Sequence, residues 1–220
     1  PCDVAIDEDI DQLFADLNKQ WQQLDCLVHS VAFAPREALD GDYLANLDRE
    51  AFRIAHDISS YSLSAMAKAA RPMMQNTNGA IITMSYLGAE RALPNYNVMG
   101  VAKASLEASV RYLAYDLGQQ GVRVNAVSAG AVKTVAARSI PGFVKMYNRA
   151  SGLSPLGRHI EQQDVGNLGL FLLSPLASGI TGETVYVDGG YHVMGMDLAE
   201  AAGLKAMQGE CIKVAHARLI

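Results

Sequence analysis

Short apolar runs alternate with longer amphipathic stretches along this chain of 220 residues. Cys26–Ala32, Ala80–Ser85, Val122–Ser128 and Thr184–Asp188 read as buried strands. The first three are rich in β-branched residues and lack strict apolar/polar alternation, the pattern of a parallel sheet covered on both faces. Periodicity alone leaves buried helix segments open; shortness and Gly or Pro flanks favour strands. Asp9–Leu24 carries Ile10, Leu13, Phe14, Leu17 and Trp21 at spacings of three and four, which predicts an amphipathic helix. Further helices are predicted over Arg49–Met74, over Tyr96–Leu117 before Gly118 and Gly121, and over Gln162–Leu173 before Ser174 and Pro175. Strands alternating with helices of this size predict right-handed βαβ units and a doubly wound α/β fold. Asp197–Gln208 is compatible with one more helix, and Cys211–Ile220 is short, basic and apolar.

Composition narrows the class. Half of the residues are hydrophobic (50%) and 19% are charged, enough apolar content for a core and too much for a disordered chain. The net charge of −5 argues against a nucleic-acid backbone or an anionic membrane as partner. No run approaches the roughly 18 apolar residues of a membrane span. Cys2, Cys26 and Cys211 are widely spaced, which suits a reducing, cytoplasmic compartment better than a disulfide framework. The five histidines lack ligand spacing, so no metal is expected. The chain opens on Pro1, and PCDVAIDEDIDQLF has no signal or transit character. It reads as the end of a strand running into an acidic helix start.

Ligands of an open α/β sheet bind beyond the carboxyl ends of the strands. Here those ends are Ser30–Pro35, Ser85–Glu90, Ser128–Thr134 and Asp188–Gly190. Tyr96 and Lys103 open the helix that follows one of them. Seven residues are about 700° of helix, within about 20° of two full turns, so the two side chains share a face if both are helical. A cation near a phenol lowers the phenol's pKa and makes it a better proton donor to an oxygen gaining charge. Taken alone, the pair also reads as a helix-start aromatic and a solvated lysine. His56 and Asp57 are adjacent on a helix and form no dyad.

The surrounding words decide more. The short-chain dehydrogenase/reductases carry Tyr-x-x-x-Lys on this helix, preceded by a strand-end serine. Here Met99 stands four before Lys103, and Tyr86 stands in the serine position. The Tyr-x6-Lys spacing with a second tyrosine after the strand resembles the divergent branch that holds the bacterial NADH-dependent enoyl-(acyl-carrier-protein) reductases. HSVAFAP, IAHDISSYS, SYLGAERALPNYNVMGVAKASLEASVRYLA, GVRVNAVSAG and VYVDGGYHVMGM all resemble that family, from about Cys2 to Met196. An ordinary alcohol or ketone dehydrogenase is disfavoured by Met99 and Tyr86.

The resemblance implies a Rossmann-like doubly wound parallel sheet that lacks its first two βα units. It divides the chain into a partial dinucleotide-binding domain, residues 1–196, and an extension, residues 197–220. It implies hydride transfer from NADH to the β-carbon of a trans-2-enoyl thioester on acyl carrier protein, in fatty acid synthesis, by a homotetramer. Tyr96 would stabilise the enolate, Lys103 would hold the nicotinamide ribose, and Tyr86 would stand near the substrate. Asp3 and Val4 match the adenine-contacting pair, and Ser30, Val31 and Ala32 the loop beside the adenosine ribose and nicotinamide. Val132, Lys133, Thr134, Val135 and Ala136 match the segment over the nicotinamide and pyrophosphate. Ala34 would line the acyl site, and residues 138–151, with Phe143, Met146 and Tyr147, would be a mobile flap; without the resemblance that segment reads as a surface helix.

One element of the family is not found. A dinucleotide site needs a Gly-rich turn that presents helix N-terminal N–H groups to the pyrophosphate. Neither G-x-G-x-x-G nor the family's relaxed form occurs in these residues. The expectations are therefore two: a fragment of an active reductase, or a non-catalytic remnant that binds NADH poorly. In either case CLVHSVA becomes an exposed apolar edge.

Overall fold

In the computed structural model, which describes residues 1–134, 137 and 142–195, the first helix forms where Asp7, Glu8 and Asp9 crowd a helix N-terminus and complement its dipole. This helix, α1 (Asp7–Gln20), buries Ile10 and Phe14. It ends short of the predicted Leu24. Trp21 keeps the helical spacing but is extended and 52% exposed. Leu24 has already left the helix to donate its N–H to the Met73 carbonyl at 2.9 Å.

Strand β1 (Cys26–His29) is shorter than the predicted Cys26–Ala32. After His29 the chain leaves the sheet, and the backbone N–H and C=O of Phe33 both bond the Ser59 hydroxyl at 2.9 Å. The predicted helix Arg49–Met74 is α2 (Arg49–His56), one wide π turn over Asp57–Tyr61, and α3 (Ser62–Met74). The wide turn has a purpose visible in its two serines and in Ser62, which opens α3. Ser59 ties down Phe33, Ser60 bonds Ser105 at 2.9 Å, and Ser62 donates to the Ile58 carbonyl at 2.6 Å. Hydrophobic periodicity does not report such a turn, because it changes hydrogen bonding and not the apolar face.

Strand β2 (Ala80–Ser85) is as predicted. It is followed by α4 (Asn97–Gly118), with Tyr96 as its cap, and β3 (Arg123–Ala129), one residue later than predicted. Val122 is drawn back to close α4, its N–H on the Leu117 carbonyl. Helix α5 (Phe143–Leu153) lies in the predicted flap segment. Helix α6 (Gln162–Leu173) matches its prediction and carries a reciprocal cap between Glu161 and Asp164. Strand β4 (Thr184–Val187) stops one residue before Asp188.

The four strands are parallel in the order β1-β2-β3-β4. Alternation along β2 sends Ile81 and Ile82 to opposite faces. Ile81 joins Val124, Ala126, Leu63, Ala67, Leu106 and Val110 under α1, α3 and α4. Ile82 joins Val127, Leu172 and Ala177 under α6. Both faces are covered, as the apolar runs predict for a doubly wound sheet. β1 forms an edge, with Val28 52% exposed on it.

His29 closes the buried end of β1. Its Nε2 meets the Ser62 hydroxyl and its Nδ1 the Thr83 hydroxyl, each at 2.8 Å. Ser62 gives its own proton to Ile58, so Nε2 is the donor toward Ser62. Burial, with Lys103 nearby, pushes its pKa down to about 4 from an ordinary 6.5. A histidine kept neutral stabilises the fold fully above its unfolded pKa and loses that contribution as pH falls toward the folded value. Stability is therefore expected to drop by about 3 kcal/mol between pH near 6.5 and pH near 4 from this residue. Urea denaturation across that window checks it: His29→Gln is expected to flatten the pH slope relative to the parent chain, and an unchanged slope would refute the assignment.

Candidate active site

The carboxyl ends of β2, β3 and β4 surround a cavity of about 470 Å³. Tyr86, Tyr96, Met146, Asp188 and Tyr191 line it, with Lys145, Arg149 and Arg158 among the other lining residues. The chain reaches it because β2 continues in extended backbone at Tyr86 (φ −154°) and then turns tightly through Leu87–Ala89. The Tyr86 and Tyr96 rings meet edge to face, with centroids 5.0 Å apart and planes at 70°. This is a favourable arrangement for two aromatic quadrupoles.

Tyr96 is held from three sides. Its ring lies on Gly88, where a Cβ would stand 2.2 Å from Cδ1. Its neighbours Asn95 and Asn97 both adopt left-handed backbone, at φ 63° and 39°. Their side chains clip the same residue: Asn95 Oδ1 accepts from the Gly41 N–H at 3.2 Å, and Asn97 Nδ2 donates to the Gly41 carbonyl at 3.3 Å. Asparagine tolerates this conformation better than most residues. Val98, Met99 and Ala34 pack in the cluster that also receives Tyr96.

Lys103 is not the solvated charge that its helix position alone permits; it is only 5% exposed. Its Nζ donates to the Met84 carbonyl at 2.7 Å. The next residue of β2, Ser85, donates its hydroxyl to the Glu107 carboxylate one turn further along α4. Burial pushes the Lys103 pKa down to about 8, while Glu107 opposes the shift. The expected lowering of the Tyr96 pKa is not what this arrangement produces. Burial, with Tyr86 and Glu107 adding to it, pushes the phenol above its ordinary range. Burial pushes Tyr86 up to about 12, helped by Tyr191 and Asp188. Both phenols therefore hold their protons at neutral pH.

The far wall is α5. Met146 accepts the Tyr86 hydroxyl on its sulfur at 3.3 Å. Phe143 is buried against Tyr147, which stacks on His159 at 3.8 Å and carries the Lys133 ammonium 4.5 Å from its ring centre. Asp188 turns in at the end of β4. It accepts from the Gly190 and His192 N–H groups and from His192 Nδ1, and His192 stacks on Tyr186.

Of the residues singled out in the sequence, Tyr86, Tyr96 and Met146 share the cavity wall. Lys103 lies behind it on the end of β2. Asp3 and Val4 form a turn ahead of α1, where the Asp3 carboxylate accepts from the Ala5 N–H. Ser30, Val31 and Ala32 run along the exposed segment after β1. Val132 is half-buried, and Thr134 Oγ1 accepts from the Ala137 N–H at 3.0 Å. Val135, Ala136 and the extension from 197 lie outside the described residues. Gly88, Asn95, Asn97 and Glu107 carry no individual expectation in the sequence, and Asp188 stands there only as one of the strand ends. The Asn-Tyr-Asn triplet was the one local signal available; the others act through contacts distant in sequence. Among the described residues no three His, Cys, Asp or Glu side chains gather as a metal site, and no helix is long and apolar enough to cross a membrane.

A protein-family profile described as enoyl-(acyl carrier protein) reductase matches residues 1–192. The chain is 58% identical over 192 residues to the NADH-dependent reductase of that name, FabI, from Neisseria meningitidis serogroup B, covering 87% of this chain and 74% of the relative. It superimposes on the crystal structure of the Aquifex aeolicus NADH enzyme with a TM-score of 0.86 at 51% identity, over 89% of this chain and 76% of that one. The enzyme of Anaplasma phagocytophilum, solved in complex with NAD, gives a TM-score of 0.84 at 47% identity, over 89% of this chain and 72% of that one.

Proposed function

Because this chain belongs to the enoyl-(acyl carrier protein) reductase family, we propose that it reduces trans-2-enoyl thioesters carried on acyl carrier protein, with NADH as reductant. NADH, when bound, supplies the hydride that reaches the β-carbon. Everything else falls to the protein. Tyr96 donates a hydrogen bond to the thioester oxygen as negative charge builds there, which is where a preorganised donor lowers a barrier most. Its place on the cavity wall, with the ring fixed against Tyr86 and Gly88, supports this role. Tyr86 supports the Tyr96 ring and closes the substrate side through Met146. Ala34 and Phe143 complete the acyl side in this reading.

The donor set fits the ribose half of the cofactor. The Lys103 ammonium has three donors, and the Met84 bond leaves others for the ribose hydroxyls. Val132 backbone groups suit the carboxamide. The Thr134 hydroxyl, which uses its oxygen as acceptor, retains a proton for a phosphate. Lys133, Val135 and Ala136 complete that segment, Ser30, Val31 and Ala32 flank the ribose and nicotinamide, and Asp3 and Val4 take the adenine. A homotetramer packed through α2, α3 and α4 belongs to the same reading; Tyr112 and Tyr115, 76% and 74% exposed on α4, support it.

The observation that carries the proposal is the Tyr86–Tyr96 pair on the cavity wall with a buried lysine behind it, in a chain of this family. The test is NADH oxidation by a protein carrying a Gly-rich βαβ unit ahead of Pro1. Oxidation dependent on a trans-2-enoyl thioester is expected; activity on 3-oxoacyl thioesters alone would overturn it. In the same protein Lys103→Ala is expected to weaken NADH binding about 10- to 100-fold, the loss of charge-assisted hydrogen bonds worth about 1.5–3 kcal/mol. Calorimetric titration measures it, and an unchanged Kd would remove Lys103 from the ribose.

A further inference from the structure

Two ionisable side chains are buried one helical turn apart on α4. Lys103 is 5% exposed and Glu107 is 7% exposed. Such residues are almost never buried unless something compensates them. They grip consecutive residues of β2: Lys103 takes the Met84 carbonyl, and Glu107 takes the Ser85 hydroxyl. The next residue is Tyr86. We propose that Glu107 is a positioning residue of this site, whose buried carboxylate, held by Ser85, keeps Lys103 charged and seated on the end of β2. The proposal rests on the preceding reading only in giving Lys103 a ribose to hold.

The surroundings leave Glu107 few alternatives. On α4 it faces Lys103 and Arg111, with Tyr96 at the start of the helix. From the end of β2 it faces Ser85 and, past the turn, Glu90. From β4 it faces Tyr186. Only Lys103 and Arg111 carry positive charge, and Arg111 also donates to the Glu107 backbone carbonyl at 3.1 Å. The Ser85 hydroxyl donates to the carboxylate, which suits its ionised form. Burial raises the Glu107 pKa and Ser85 pulls it back, while Glu107 in turn opposes the effect of burial on Lys103. The Glu107 charge thus offsets part of the cost of burying Lys103, and Arg111 and Lys103 act on Glu107 in the same sense. A glutamate that only fastened α4 to β2 would do so equally well as its neutral amide.

That difference supplies the test. Isotope-labelled lysines in the full chain are titrated by NMR, with the Lys103 signal assigned by its loss in Lys103→Arg. Glu107→Gln keeps the shape and the Ser85 partner but removes the charge; it is expected to lower the Lys103 midpoint by about one pH unit or more. Glu107→Asp is expected to restore much of that shift, and Ser85→Ala, which leaves the charge but frees the carboxylate, to lower the midpoint by clearly less than Glu107→Gln does. An unmoved midpoint in Glu107→Gln, or a shift as large in Ser85→Ala, would overturn the proposal. Where Glu107→Gln does not fold, the parent chain decides: a coupled pair gives the Lys103 signal a second inflection where the carboxylate titrates, and a single lysine inflection counts against it. A coupled titration in a protein without enoyl-dependent NADH oxidation would sink the reductase reading and leave the pairing standing, so the two failures are distinguishable.

Discussion

Tyr96→Phe is expected to lower kcat/KM for a trans-2-enoyl thioester about 100- to 1000-fold, roughly 3–4 kcal/mol of transition-state stabilisation. The loss belongs in kcat, because in the proposed role the hydroxyl acts on charge that develops only as hydride arrives. The fold has little reason to notice. The phenyl ring keeps its edge contact with Tyr86, its seat on Gly88 and its place beside Val98 and Met99. Steady-state kinetics with a thermal melt separate the two effects. A variant with near-parental kcat would move the donor's role to Tyr86, which shares the cavity wall.

Gly88→Ala is expected to do comparable damage by a different route. A Cβ there would stand 2.2 Å from Tyr96 Cδ1 and 2.6 Å from Cε1, distances no packed carbon tolerates. The ring cannot simply swing away. Tyr86 meets it on one side, and the backbone on both flanks is pinned through Asn95 and Asn97 to Gly41. Gly100 is no outlet either, since its own Cβ position lies 2.7 Å from the Gly88 carbonyl oxygen. Overpacking of this kind costs about 1–3 kcal/mol, and the displaced ring takes the donor hydroxyl with it. Chemical denaturation and kinetics on the same preparation measure both losses. A double-mutant cycle with Tyr96→Ala adds a sharper check: the cost of Gly88→Ala is expected to vanish once the ring is gone. A cost that persists would place the strain elsewhere in the turn.

The legible parts of this chain are those whose causes lie close together in sequence. Ala80–Ser85 is a run of apolar and β-branched residues after Gly79, and it forms a strand over those residues. Gln162–Leu173 begins at a reciprocal cap and ends before Pro175, and its helix has those limits. Tyr86, Tyr96 and Lys103 lie within one block of motif, so their association with a strand end and a helix start could be read directly. Two of the boundaries that moved did so for long-range reasons. β1 stops at His29 because Ser59, 26 residues after Phe33, takes hold of the chain. Trp21 leaves its helix because Leu24 bonds to the end of α3.

The electrostatics were the least legible. A lysine one helical face from a tyrosine implies a lowered phenol pKa, and the structure reverses that sign. Spacing along a helix gives direction but not burial, and burial dominates both groups. Asp188 shows the same limit. In sequence it precedes two glycines at a turn; in the fold it lines the cavity and collects the N–H groups of Gly190 and His192.

What the sequence by itself determined is the alternation of strands and helices, the double coverage of the sheet and the membership of Tyr86, Tyr96 and Lys103 in one motif. These follow from local propensity, hydrophobic period and residue order. Only the tertiary structure decided that Tyr96 rests on Gly88, that Gly41 pins its flanks, and that Lys103 and Glu107 are buried together on the end of β2. Those are contacts across turns and between elements, and the charge state of a buried group depends on everything that excludes water from it.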